Sequence, residues 1–353
     1  MELDDLHYSF SKIDGYDKPF NFVVSEREDG KTTAFHVTKA RKAFEKTGRP
    51  TVVLRRLSVD ITDAYIDSIA EILSKFGPDP RLKYKRGALK EGVVPVYSDG
   101  RIRYLVISIS LPMSRIKSLF VKDPAYFLFD EFICNTRLGE KYAPNEGFKI
   151  KEIYNTFYRE ASTVPKFYAL GNPYSLYNPL FDEFGIERKD FQKGGIASRG
   201  EWAVEFHELD QRLKQRILAK NPLYKFEDAY TSYALEGQAI NDSNVWIMER
   251  RPSGYSLSFA MTIEGKTLGI WRRGIAQLGE GLPSFYVEEM PQGMGKRKDV
   301  YCFDFSDLFG GSRLVSATDR SRLAHFRMAI GSRDVAFSTL ACDYLVEGIY
   351  PSL

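Results

Sequence analysis

Residues 22–33 read "FVVSEREDGKTT", an apolar run broken by a polar loop that ends in Gly-Lys-Thr. No other stretch restricts the fold of this chain as much. The run at 19–25, "PFNFVVS", is continuously apolar, as a strand buried on both faces requires. After the loop, Val37, Ala40 and Phe44 recur at helical spacing, and Gly48 and Pro50 stop the helix. "TVVLRR" (51–56) reads as a second buried strand. Strand, loop, helix and strand form the setting in which backbone N–H groups and a helix N-terminus turn toward a phosphate. The pattern G-x-x-x-x-G-K-[ST] is imperfect here. Ser25 stands at the first glycine, and Glu28 and Asp29 lie inside the loop. Ser25 fits if the turn there needs no positive φ, and the two acids are expected to point outward. Lys31 would reach the β- and γ-phosphates of a nucleotide, and Thr32 would ligate Mg2+, with Gly30 and Thr33 beside them. Arg27 is the compensating charge, or else a surface arginine paired with Glu28.

A second site supports the first. In "AYFLFDEF" (125–132) an apolar strand ends in two adjacent acids. Ligands of open α/β sheets bind at the carboxyl ends of strands, which is where Asp130 emerges. Asp130 would hold the Mg2+ hydration shell, and Glu131 would orient or deprotonate an attacking water. The plainer alternative is two acids ending a strand in solvent.

Strands alternating with helices continue to about residue 205, which predicts a mostly parallel sheet. Ile61, Tyr65, Ile69, Ile72 and Phe76 mark a helix face, and 92–110 reads as a hairpin turned at Asp99-Gly100. "EGFKIKEIYNTFYREA" is helical in pattern, and "KFYALGN" (166–172) is a strand. Leu209, Leu213 and Ile217 mark a short amphipathic helix. From 241 on, strand signals dominate, and two helical stretches finish the chain. The expected division is an α/β domain at 1–205, a helical linker at 206–240 and an α+β domain at 241–353.

With 353 residues, two domains are the first expectation. The net charge of +3 does not announce a nucleic-acid partner. Three scattered cysteines argue for a reducing compartment and against a disulfide framework. The four histidines show no metal-ligand spacing. The N-terminus "MELDDLHYSF" has no basic region followed by an apolar run, so no secretory signal is expected. The longest uncharged apolar run, 104–114, is shorter than the ~20 residues of a membrane span. An intracellular, soluble protein with no membrane partner is expected.

Taken in order, "YDKPFNFVVSEREDGKTTAF", "VVLRR", "FDEF", "YAPNE", "TFYRE", "LGNPYSLYNPLF", "INDSNVWIMERRPSGYSLSF" and "KTLGIWRR" cover most of the chain. With these motifs it resembles the DNA-packaging (encapsidation) ATPases of small phi29-like tailed phages, relatives of the large terminases. The resemblance implies a P-loop NTPase (ASCE/RecA-like) domain with Lys31, Thr32, Asp130 and Glu131 at the ATP site. It implies a homo-oligomeric ring, typically of five subunits, that pumps double-stranded DNA into a preformed capsid. Further implied partners are the portal (connector) of the procapsid and a packaging RNA. The implied location is the host cytoplasm, with transient attachment to the procapsid. Arg159 in "TFYRE" matches an arginine offered to the neighbouring subunit's ATP; taken alone, it reads as a helix charge paired with Glu160. Asn172 matches a polar position that senses the γ-phosphate; taken alone, it reads as a turn residue before Pro173. The C-terminal part resembles a degenerate ribonuclease-H-like domain. "NVWIMERR" has no internal aspartate, so a two-metal nuclease site is not expected, with Asp304 and Asp343 as remnants.

Residues 241–353 carry 13 Lys+Arg against 13 Asp+Glu, so any DNA contact there must be local. "RLKYKRGALK" (81–90) holds Arg81, Lys83, Lys85 and Arg86, and "GKRK" holds Lys296, Arg297 and Lys298. Both clusters suit phosphate contacts that read no bases, and both equally suit solvated loop charge. Two rival functions fit the same residues. One is a helicase-like P-loop ATPase, and the other is a nucleotide-binding scaffold that no longer hydrolyses.

Overall fold

The run that ends in the Gly-Lys-Thr loop forms strand β1 (Phe20–Ser25), buried from its second residue onward. The computed structural model describes residues 7–353 apart from 120–121, 160, 176, 188–189, 192–193, 227–230, 232–233, 236–244, 275–280, 292–299 and 310. Side chains at 137, 317, 320–322 and 351 are likewise not described. The chain divides into two compact units, 1–241 and 242–353.

The first unit is built on β1, β2 (Thr51–Arg55), β3 (Val93–Ser98), β4 (Arg101–Ser108), β5 (Tyr126–Asp130), β6 (Lys166–Gly171), β7 (Ile196–Arg199) and β8 (Trp202–His207), in the order β3-β4-β2-β5-β6-β1-β8-β7. The six inner strands are parallel, and each edge strand pairs antiparallel with its neighbour. The expected hairpin turns at Asp99 (φ 51) and Gly100 (φ 76), the two left-handed residues of a tight turn. Side chains alternate between the two faces, as a period of two dictates. Phe22, Leu54 and Phe129 enter one core, and Val23, Val53 and Leu128 enter the other. Helices Glu146–Tyr158 and Gln211–Lys220 supply Ile150, Ile153, Leu213 and Ile217 to the first core. The helix that begins at Lys31 and helix Asp63–Lys75 cover the second, through Phe35, Ile66, Ile69 and Leu73.

Sequence reading placed a change of character near residue 205, where the structure instead has β8 running parallel beside β1. The strand is hard to see because its Glu205 is buried and bonded to Tyr8 rather than facing water. Leu209, Leu213 and Ile217 then pack into the core of the same unit.

The second unit holds β9 (Trp246–Ile247), β10 (Tyr255–Ile263), β11 (Lys266–Arg273), β12 (Phe285–Glu289), β13 (Val300–Cys302), β14 (Ser312–Leu314) and β15 (Val335–Phe337), in the order β14-β13-β10-β11-β12-β15-β9. β10 to β12 form an antiparallel meander, and the outer strands run parallel to their neighbours. Helices Ala317–Gly331 and Leu340–Ile349 cover one face through Leu323, Phe326, Leu345 and Val346. The unit is thus α/β with a mixed sheet. Among the described residues no helix is long and apolar enough to cross a membrane.

Candidate nucleotide site

Four groups meet at the carboxyl edge of the first sheet because of its strand order. β6 lies between β1 and β5, so the loop after β1, the end of β6 and the end of β5 are neighbours. The end of β2 lies just beyond β5.

In the loop, Glu28 (φ 62) and Gly30 (φ 83) take the left-handed conformation, and Ser25 does not. A side chain is therefore tolerated at position 25. Ser25 makes use of it, donating through Oγ to Asp29 Oδ2 at 2.6 Å. Asp29 is 1% exposed, which corrects the expectation that both loop acids point outward. The loop closes with a serine–aspartate hydrogen bond at its base. Glu28 accepts from the Tyr224 hydroxyl at 3.1 Å. Behind the loop, His207 Nε2 lies 3.8 Å from Asp29 Oδ1, and its Nδ1 lies 3.4 Å from Glu205.

Gly30 begins the helix, which runs Lys31–Phe35, passes through a π turn at His36–Ala40, continues Arg41–Thr47 and ends at left-handed Gly48. Lys31 is buried and donates to the Ser25 and Glu26 carbonyls at 3.2 and 3.1 Å, to Ser25 Oγ at 2.8 Å and to Asn172 Oδ1 at 3.1 Å. Burial pushes its pKa down, against the pull of Asp29 and Asp130. Thr32 Oγ1 donates to Asp130 at 3.0 Å, and half-buried Thr33 follows on the same turn. Burial and the Glu131 charge raise the Asp130 pKa, while Arg55, Thr32 and Lys31 oppose the shift. A half-buried carboxylate beside a hydroxyl is an all-oxygen donor pair that suits a hard cation such as Mg2+.

Glu131 stands just outside this group. Its side chain is 68% exposed and accepts from Arg55 Nη2 at 3.1 Å, while its backbone is left-handed at φ 56. Arg55 is held over the Tyr65 ring. Arg27 donates to the Tyr174 hydroxyl at 2.5 Å, and among the described residues no ion pair joins it to Glu28, the partner the plainer reading gives it. Arg159 follows helix Glu146–Tyr158 and is exposed. The far end of that helix lies at the amino edge of the sheet, where Tyr154 bonds to the Pro165 carbonyl and packs on Phe20. Arg159 is therefore about 20 Å along the helix from Glu146 at the carboxyl edge. Its suggested partner Glu160 lies outside the described residues.

Sequence reasoning missed Arg55, Arg56 and His207. The signal for the two arginines was present: a consecutive pair closing a buried strand is costly unless both charges have partners. Of the basic clusters, Arg81, Lys83, Lys85 and Arg86 are exposed and run beside edge strand β3 through a bridge from Lys83 to Tyr97. Arg86 alone of the four has an ion pair among the described residues, to Asp63 at 3.6 Å. Lys296, Arg297 and Lys298 lie outside the described residues.

Known proteins share this architecture. The chain is 26% identical over 314 residues to the DNA packaging proteins of Bacillus phage PZA and Bacillus phage phi29, covering 88% of this chain and 86% of each relative. The bacteriophage Phi-29 viral genome packaging motor assembly matches with a TM-score of 0.65 at 23% identity, covering 99% of this chain and 98% of that one. The Phi-28 gp11 DNA packaging motor matches with a TM-score of 0.61 at 18% identity, covering 98% of each chain. A model of the Podovirus DNA encapsidation protein (Gp16) family matches residues 3–346, and the chain belongs to that family.

Proposed function

We propose that the chain is an ATP-driven double-stranded DNA translocase that packages a viral genome into a preformed capsid. One observation carries the enzymatic part: Lys31, Thr32, Asp130 and Asn172, from three separate segments, converge within hydrogen-bond distance at one sheet edge. Lys31 would leave its loop carbonyls for the β- and γ-phosphates. The backbone N–H groups after Gly30 would receive the phosphate oxygens, and Thr33 would line the same turn. Thr32 and Asp130 would hold Mg2+, which when bound would neutralise charge on the phosphates. Glu131 would leave Arg55 to orient or deprotonate the attacking water. Asn172, already bonded to Lys31, would report whether the γ-phosphate is present. Arg27 and Ser25 would shape the nucleotide side of the loop.

Arg159 is exposed and lies at the far end of its helix from the carboxyl edge of the sheet, which supports a role across a subunit seam. The reading is therefore a homo-oligomeric ring, of five subunits in the family this chain resembles. Its partners would be duplex DNA, the portal of the procapsid and a packaging RNA, in the host cytoplasm. The first unit's strand order, with one strand between the two acid- and phosphate-binding strands, supports the P-loop assignment. In the second unit, β12-β11-β10-β13-β14 with three antiparallel strands and two parallel ones supports a ribonuclease-H-like ancestry.

The test is ATP hydrolysis with and without duplex DNA, on wild-type chains mixed with Arg159→Ala chains. A loss steeper than the mutant fraction is expected. Loss in simple proportion would remove Arg159 from the seam. Stimulation by single strands with duplex unwinding would favour a helicase-like enzyme, and absence of any turnover a scaffold.

A further inference from the structure

Arg56 directly follows β2, and its guanidinium is used inside the protein. Nε and Nη2 donate to the two oxygens of Glu146 at 2.9 and 3.0 Å. The same guanidinium donates through Nη1 to the Glu131 carbonyl at 3.2 Å and through Nη2 to the Phe132 carbonyl at 2.8 Å. The rings of Phe129 and Tyr142 lie 5.3 and 5.2 Å from its central carbon. Glu146 is 0% exposed and also accepts from the Ala143 N–H at 2.8 Å. Satisfying one carboxylate and two carbonyls at once needs a planar fork of donors, which lysine lacks.

The two carbonyls belong to the segment that carries Glu131. That residue holds a left-handed backbone at φ 56, a conformation that persists only where the surroundings over-determine it. Its carboxylate is exposed, so the backbone beneath decides where the side chain starts.

We propose that Arg56, locked by Glu146, is a positioning residue that clamps the Glu131–Phe132 backbone so that Glu131 can reach the attacking water. The inference rests on the reading of Glu131 as the catalytic carboxylate. Glu146 also opens the helix whose far end carries Arg159. The clamp therefore joins the catalytic backbone to the element that would present Arg159 at the subunit seam.

The experiment compares full-length Arg56→Lys, Glu146→Gln and the double variant R56M/E146L in DNA-stimulated ATP hydrolysis. Replacing a buried pair by apolar residues of similar volume is often neutral for stability, so the double variant tests the clamp even where the single ones unfold. In every variant that folds, kcat is expected to fall about tenfold or more. KM for ATP and affinity for a non-hydrolysable analogue should stay within about twofold, since Lys31 and Thr32 are untouched. A purely structural role would move kcat, analogue affinity and melting temperature together, and that result overturns the proposal. Wild-type kcat in R56M/E146L overturns it as well. Glu131→Gln, run in parallel, separates the two levels. Turnover surviving in Glu131→Gln removes the assignment of Glu131 itself. An inactive Glu131→Gln beside an unslowed R56M/E146L removes only the clamp.

Discussion

Asp29 shows how one residue can be legible in type and misread in direction. An acid in a phosphate loop repels phosphate only if its charge faces the ligand. Here it is buried, bonded to Ser25 and backed by His207. Burial disfavours a charge on His207, but the hydrogen bond to Glu205 and the charge of Asp29 outweigh it, holding the pKa above 6.5. Tyr8 and Lys12 also face this group, Tyr8 bonded to Glu205 and Lys12 weakly opposing the His207 charge. A raised folded-state pKa means that protonated His207 contributes stability, fully present below 6.5 and lost as pH rises through the higher folded value. Urea melts across about pH 6 to 8 should show the midpoint falling through this window in wild type. That component should be absent in His207→Gln. An unchanged pH slope in the variant would show that His207 does not set it.

At the scale of elements, helix ends are where sequence and structure agree most closely. The helix after the loop stops at Gly48, left-handed at φ 72, as the Gly-x-Pro ending predicts. Helix Ala317–Gly331 begins with a reciprocal cap between Ser316 and Asp319. Ser316→Ala should destabilise the second unit by about 1 kcal/mol in a denaturant melt. ATP turnover, which the proposed function assigns to the first unit, should not change. A destabilisation within error of zero would mean that the cap is redundant with the Arg313–Asp319 pair. Strands were legible where an apolar run fills most of their length, as in β1, β2, β5 and β6. β8 was not, because a buried acid broke its pattern.

For the whole molecule, the motif order that resembled the packaging ATPases extends through both units, in agreement with the family match over 3–346. Bulk charge says little about DNA, since residues 241–353 have none to spare and the chain as a whole only +3. The exposed segment bearing Arg81, Lys83, Lys85 and Arg86 is the described surface on which a phosphate contact would be local. Neutralising these four should weaken DNA stimulation of the ATPase about equally for all sequences. It should also reduce the salt dependence by about 0.9 for each phosphate that the protein no longer neutralises. An unaltered salt slope would return this segment to the role of solvated loop charge.

By itself the sequence determined the elements whose cause is local. These are the buried strand before the loop, the glycine-ended helix, the acids ending β5 and the hairpin at Asp99-Gly100. It determined the family as well, because motif order is a property of the chain. Only the tertiary structure decided that β6 separates the two strands of the site, that Asp29 turns inward, and that Arg55 and Arg56, at the end of β2 and just after it, bond to Glu131. Those contacts join residues about 70 to 180 positions apart, and a pairing across that distance depends on strand order, which no local pattern encodes.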